Sequence, residues 1–135
     1  MDILLVNRDP LVRDQIKVGL QQFPEFTVTC GEGYAAVNML RQREFDCVFL
    51  AVDPHDREGL RLLHHMRSFD RVTECIVVTH ERAAKDMAGE KSRLNISSFL
   101  HVPVDVRQFF RLVGRFRERW LEAENRRASG SYQRV

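Results

Sequence analysis

The sequence predicts an α/β domain in which a parallel sheet is covered by helices on both faces. Three observations carry that expectation. Five short apolar runs alternate with helical patterns along the chain. Most of these runs are continuous in apolar residues and strand-sized, as strands buried on both faces should be. The length of 135 residues, 44% hydrophobic and 30% charged, suits one domain with a sizeable core.

The first strand is Ile3-Leu4-Leu5-Val6. Asp9-Pro10 then opens a helix, because Asp9 can cap it and Pro10 suits the first turn. Val12, Ile16, Leu20 and Phe23 form its apolar stripe, and Pro24 stops it. Phe26-Thr27-Val28-Thr29 alternates as a second strand, followed by breaks at Gly31 and Gly33. Ala36, Val37 and Leu40 mark a short second helix, and Cys47 to Val52 a third strand. Leu60, Leu63 and Met66 give the third helix its buried face, and Ile76-Val77-Val78-Thr79 is the fourth strand. A thin stripe of Ala83, Ala84, Met87 and Ala88 suggests a fourth helix over residues 82–94, with Asn95 closing it in a left-handed turn. Ser98-Phe99-Leu100-His101 is the fifth strand. Asp105 and Gln108 resemble a capping box, opening a long last helix lined by Phe109, Leu112, Val113, Phe116 and Trp120. Right-handed crossovers then leave few topologies. Strand order 2-1-3-4-5, the flavodoxin-like (βα)5 doubly wound sheet, is the expected one.

Composition narrows the functional classes. No apolar run reaches membrane-spanning length, and Met1-Asp2-Ile3-Leu4 lacks the basic region of a secretory signal. Cys30, Cys47 and Cys75 are odd in number and scattered, which suits buried thiols in a reducing cytoplasm. The net charge of +2 hides an asymmetry: eight arginines and three glutamates from Arg107 onward make +5, leaving −3 for residues 1–106. An arginine-rich helical linker is favoured over direct nucleic-acid binding, which would show steep salt dependence. Residues 118–135 run past the last element that a domain of residues 1–117 needs. They read as an extended last helix and linker towards an output domain, with Ala128-Ser129-Gly130-Ser131 as the start of a flexible connector and the chain as the front piece of a longer regulator.

The stretch FDCVFLAVDP ends its strand on Ala51, where an α/β sheet usually places its chemistry. Together with ILLVNRDPLVRD, EGLRLL, VVTH and FLHVPVD, in that order, it resembles the receiver domains of bacterial two-component response regulators over residues 2–117. The resemblance implies a site at which an aspartate ending the third strand accepts a phosphoryl group. Two acidic residues after the first strand would hold Mg²⁺, a Thr or Ser ending the fourth would bind the phosphoryl oxygen, and a lysine in the fifth would contact it. The physics fits those parts: a carboxylate nucleophile, a cation to neutralise phosphoryl charge, and donors for the remainder. Here the phosphoacceptor position is Ala51, the acidic pair is Asn7 and Arg8, and the lysine position is Val102. Thr79, Phe99 and Pro103 are retained, Phe99 at the aromatic position that couples phosphorylation to a surface change in that family.

Two readings of Arg8 stay open. Its guanidinium can occupy the region of the metal and pair with Asp9 or Asp53, or it can point into water. Asp53 as a substitute acceptor would need a rearranged loop, since it sits roughly 6–7 Å further along. Asp56 and Glu58 read as solvated loop charges. His55, His80 and His101 fall near the strand exits, but His101 and Val102 alternate in direction, so solvated or capping histidines are preferred to a Zn²⁺ site.

The expected function is a degenerate, phosphorylation-independent receiver: a pseudo-receiver acting as an interaction and dimerisation module, with no enzyme activity, metal or other cofactor. The resemblance implies a homodimer or an output-domain contact through the fourth helix, fifth strand and fifth helix. Phe99, Arg107, Arg111, Arg115, Asp86, Glu90 and Trp120 fall on or beside that face. The alternative is a small-ligand or nucleotide sensor using the emptied pocket. A flavin carrier is disfavoured because Asn7-Arg8-Asp9-Pro10 is a poor phosphate cradle.

Overall fold

The computed structural model describes residues 1–53 and 55–133, with side chains to residue 128. The chain alternates β1 (Asp2–Val6), α1 (Pro10–Leu20), β2 (Thr27–Gly31), α2 (Gly33–Gln42), β3 (Cys47–Ala51), α3 (Glu58–Phe69), β4 (Glu74–His80), α4 (Glu81–Asp86), β5 (Ile96–Val102) and α5 (Val106–Gln133). All strand pairs are parallel, in the order β2-β1-β3-β4-β5, the flavodoxin-like arrangement expected.

Alternation along the strands divides the core into two layers. Leu4, Val48, Leu50 and Val77 face α2 and α3 and join Leu63 and Met66. Ile3, Leu5, Phe49 and Ile76 face the other way and join Ile16 and Leu20 of α1 and Phe109, Val113 and Phe116 of α5. Cys47 and Cys75 lie in opposite layers, and burial first of all pushes Cys75 up to about 12 and Cys47 well above the ordinary thiol range. Both are therefore neutral packing groups.

The helix starts follow from local chemistry. The Asp9 carboxylate accepts from Leu11 N at 3.0 Å and Val12 N at 3.4 Å, so it caps α1 ahead of Pro10. Gly33 begins α2 at φ +66°, a left-handed conformation that strains residues with a Cβ. Asp105 accepts from Gln108 N at 2.9 Å, but the Gln108 amide turns to His101 Nδ1 at 3.2 Å instead of closing a capping box.

Three elements depart from expectation. The single fourth helix over residues 82–94 is instead α4, six residues long, followed by a 3₁₀ turn at Ala88–Glu90. Ala83 and Ala84 are its only buried side chains, too little apolar surface to hold a longer helix across Gly89. Asn95 does take a left-handed conformation, φ 51°. In α3 it is Leu62, not Leu60, that is fully buried beside Leu63 and Met66. The connector expected at Ala128 is helical: α5 runs 28 residues, about 42 Å, to Gln133. An Arg127–Glu124 ion pair three residues apart supports that end.

Candidate functional site

At the carboxyl ends of β1, β3 and β4 the loops leave a cleft of about 150 Å³, lined by Asn7, Arg8, Ala51, Asp53, Asp56, Glu58, Thr79, His80 and Val102 among others. Gly59 brings α3 against its floor. A methyl there would collide with the Ala51 carbonyl oxygen and stand 2.7 Å from Val52 Cα. The Gly at this position is therefore what lets the start of α3 lie on the end of β3.

Each wall is held by its own hydrogen bonds. Asn7 is buried and its side-chain oxygen accepts from Asp9 N at 2.9 Å, fixing the turn into α1. The Thr79 hydroxyl, almost fully buried, donates to the Val52 carbonyl at 2.6 Å, tying β4 to the exit of β3. Asp53 accepts from His55 N at 2.8 Å. Val102 is half-buried and precedes Pro103 through a cis peptide bond.

Among the described residues, the one cation in the cleft lining is Arg8. It pairs with Asp56, and its Nη1 donates to Glu58 Oε2 at 2.7 Å. This corrects the expected pairing with Asp9 or Asp53. The Asp9 carboxylate is committed to the α1 N-terminus and that of Asp53 to its own turn. Asp56, whose other carboxylate oxygen accepts from Glu58 N at 2.9 Å, and Glu58 itself sit where the loop meets α3, across the cleft from Arg8. The two acids read as solvated charges are thus the partners of Arg8. The ion pair bridges the β1–α1 and β3–α3 loops.

The electrostatics of the cleft are lopsided. Asp9, Asp53, Asp56 and Glu58 place four carboxylates around one guanidinium. An anionic ligand would enter against that field. Among the described residues, no three His, Cys, Asp or Glu side chains converge as a metal-holding group. His55 and His80 are exposed and His101 is engaged by Gln108.

The other singled-out residues lie apart from the cleft. Phe99 is half-buried and packs on the α2–α3 layer of the core. Arg107, Arg111 and Arg115 are exposed along α5, and Asp86 is exposed at the end of α4. Glu90 is held by Arg93 three residues on, Nε to Oε2 at 2.7 Å, so its charge is neutralised within its own turn. Trp120 is half-buried on α5.

One residue at the opposite end of α3 went unnoticed in the sequence. Arg67 is 4% exposed. It donates to the carbonyls of Leu94 at 2.8 Å, Asp70 at 2.9 Å, Thr73 at 2.8 Å and Asn95 at 2.9 Å. Burial lowers its pKa from the ordinary arginine value. No spacing signal in the sequence distinguishes it from the exposed arginines around it.

A parallel five-stranded sheet of this order, with a cleft at the exits of β1, β3 and β4, is the flavodoxin-like architecture that receiver domains share. A family model for the response regulator receiver domain matches residues 3–113, and the chain belongs to that family, the receiver domains of two-component signal transduction. It is 31% identical over 107 residues to the response regulator protein PmrA of Pseudomonas aeruginosa, covering 78% of this chain and 48% of that protein. It is also 27% identical over 122 residues to the signal transduction histidine-protein kinase BarA of Shigella flexneri, covering 87% of this chain and 13% of the kinase. The chain thus spans under half the length of these relatives. Among solved structures it resembles the signal receiver domain of an HD domain-containing protein from Pseudomonas fluorescens Pf-5, with TM-score 0.74, 22% identity and coverage of 93% and 92% of the two chains. A CheY-like receiver from Methanospirillum hungatei JF-1 superposes with TM-score 0.72 at 21% identity, covering 93% and 97%. Among the described residues no helix is long and apolar enough to cross a membrane.

Proposed function

We propose that this receiver domain works without phosphoryl transfer, as a cytoplasmic pseudo-receiver that regulates through protein contacts. The observation that carries the reading is the bridge from Arg8 to Asp56 and Glu58 beside an alanine at the end of β3. Ala51 offers no nucleophile, and Asp53, two residues further on, is engaged in its own turn by the His55 N–H. The residues present do not fit Mg²⁺: Asn7 is buried in a turn, and Arg8 brings a fixed positive charge to the carboxylates a divalent ion would need. With Val102 at the lysine position and the Thr79 hydroxyl donated to Val52, the cleft acts as a closed tie between loops. It catalyses nothing and holds no cofactor.

In this reading the contact surface is the α4–β5–α5 face. Exposed Arg107, Arg111 and Arg115 on α5 and Asp86 on α4 supply opposite charges for a two-fold contact with a second copy, or for contact with an output domain. Phe99 packs inward next to that face, and Trp120 carries it onto the extended end of α5. Because four carboxylates line the cleft, a nucleotide or other anion is a poor occupant, which weighs against the ligand-sensor alternative.

The test is self-association of the full chain, measured by analytical ultracentrifugation with and without a small phosphodonor and Mg²⁺. Identical association curves are expected. A dimerisation constant that moves tenfold or more on adding the donor would refute phosphorylation independence.

A further inference from the structure

The α2–α3 side of the molecule carries a feature that neither the cleft nor the α4–β5–α5 face uses. Tyr34, Asn38 and Arg41 recur four and three residues apart on α2, and Arg61, His65 and Phe69 four apart on α3, so each set forms one stripe. The two stripes meet. His65 makes T-shaped contacts with Tyr34 and Phe69, with ring centroids 5.1 Å and 5.4 Å apart. Its Nε2 donates to Asn38 Oδ1 at 2.9 Å, which fixes the ring. The Arg41 guanidinium lies 4.1 Å over the Phe69 ring. Tyr34 is 47% exposed, His65 and Phe69 are half-buried, and Arg41 and Arg61 are exposed. The result is a row of rings already held in place and bordered by two arginines.

We infer that this ridge docks an acidic protein segment, one in which carboxylates are interspersed with apolar side chains. Charge selects that partner. α2 contains no Asp or Glu, and the single acid of α3, Glu58, is already paired with Arg8. Glu32 and Glu44, just beyond the ends of α2, form no ion pair with Arg41 or Arg61 among the described residues. The ridge is thus positive with no carboxylate of its own to balance it, on a body whose residues 1–106 carry −3 overall. A cationic partner is repelled and a carboxylate-bearing one is drawn in. The rings supply the apolar part of the contact: Tyr and Arg, fixed beforehand, are residue types that anchor protein interfaces. Nucleic acid fits less well. Bases need free ring faces to stack on, whereas Arg41 covers a face of Phe69 and His65 is wedged between two rings. The ridge lies across the sheet from α5, so it stays open whether or not the α4–β5–α5 face is engaged.

The experiment is fluorescence anisotropy of a fluorescein-labelled helical peptide of Glu and Leu, titrated with the full chain at low and at raised salt. Saturable binding that weakens as salt rises is expected, with none to the matching peptide of Lys and Leu. Arg41→Glu with Arg61→Glu should lower the affinity at least tenfold, and Tyr34→Ala at least threefold. Arg61→Glu alone should also lower it at least threefold. That side chain is exposed, so this variant keeps its fold even if the double variant does not. Arg111→Glu with Arg115→Glu, on the other face of the sheet, should leave the affinity unchanged. Absence of saturable binding overturns the inference, as does a loss that follows Arg111 and Arg115 instead of Arg41 and Arg61. A labelled oligothymidylate that binds more tightly through the same residues makes the ridge a nucleic-acid site and overturns it too. Self-association of the chain without peptide, lost in Arg41→Glu/Arg61→Glu, would assign the ridge to a second copy and equally overturn it.

Discussion

Arg8 and Arg67 are the same residue type at opposite ends of α3, and they act in opposite ways. Arg67 is engulfed, and its guanidinium gathers four main-chain carbonyls from the α3–β4 connection and the residues leading into β5. Those carbonyls have no helix or ladder partner of their own, so the arginine is what makes their burial tolerable. Arg8 is 60% exposed and pairs with carboxylates that water could serve nearly as well. An exposed pair of this kind contributes little to stability. Its consequence is chemical: it puts a permanent charge at the mouth of the cleft. Burial decides which arginine holds the fold and which sets the site.

The comparison breaks first, if it is wrong, at Arg67. Arg67→Met keeps much of the volume but leaves the carbonyls of Leu94, Asp70, Thr73 and Asn95 unpaired, and chemical denaturation should register a loss on the order of 3 kcal/mol or more. Gly59→Ala comes next. Its methyl would strike the backbone of Ala51 and Val52, and the expected cost is about 1–3 kcal/mol in the same assay.

Asp70 sharpens the comparison through pH. Burial alone would raise its carboxyl. The Thr73 hydroxyl, the Thr73 N–H and the Val72 N–H together outweigh that and hold it below the ordinary 3.8. A depressed carboxyl stabilises the folded state fully above its unfolded-state pKa, and the contribution is lost as pH falls through the lower folded-state value. Melting temperatures below pH 4 should therefore fall less steeply in Asp70→Asn than in the natural chain. Equal slopes would contradict the assignment. The smallest effect is at the other arginine: Arg8→Ala should cost under about 1 kcal/mol by denaturation, shrinking further as salt is raised.

Much of the fold could be read before any coordinates. Asp9-Pro10 marks the start of α1 because capping and ring geometry are local, and the continuous apolar strands mark a sheet covered on both faces. The fourth helix was less legible, because two buried alanines and Gly89 leave its length to tertiary contacts that no local pattern records. The positions of Asn7, Arg8, Ala51, Thr79 and Val102 around one cleft followed from family resemblance and sheet topology. The partners of Arg8 did not. A long side chain is directed by where the β3–α3 loop returns, and that path is set by the close approach of Gly59 to Ala51. Arg67 was invisible for a related reason: its partners are main-chain carbonyls, which every residue has.

The central claim is that the cleft keeps the architecture of a phosphoacceptor site without its chemistry. Intact-mass spectrometry of the chain after incubation with a small phosphodonor and Mg²⁺ tests it most directly. The account predicts an unaltered mass; a stable gain of one phosphoryl group, mapped to a carboxylate such as Asp53 in the cleft, would contradict it.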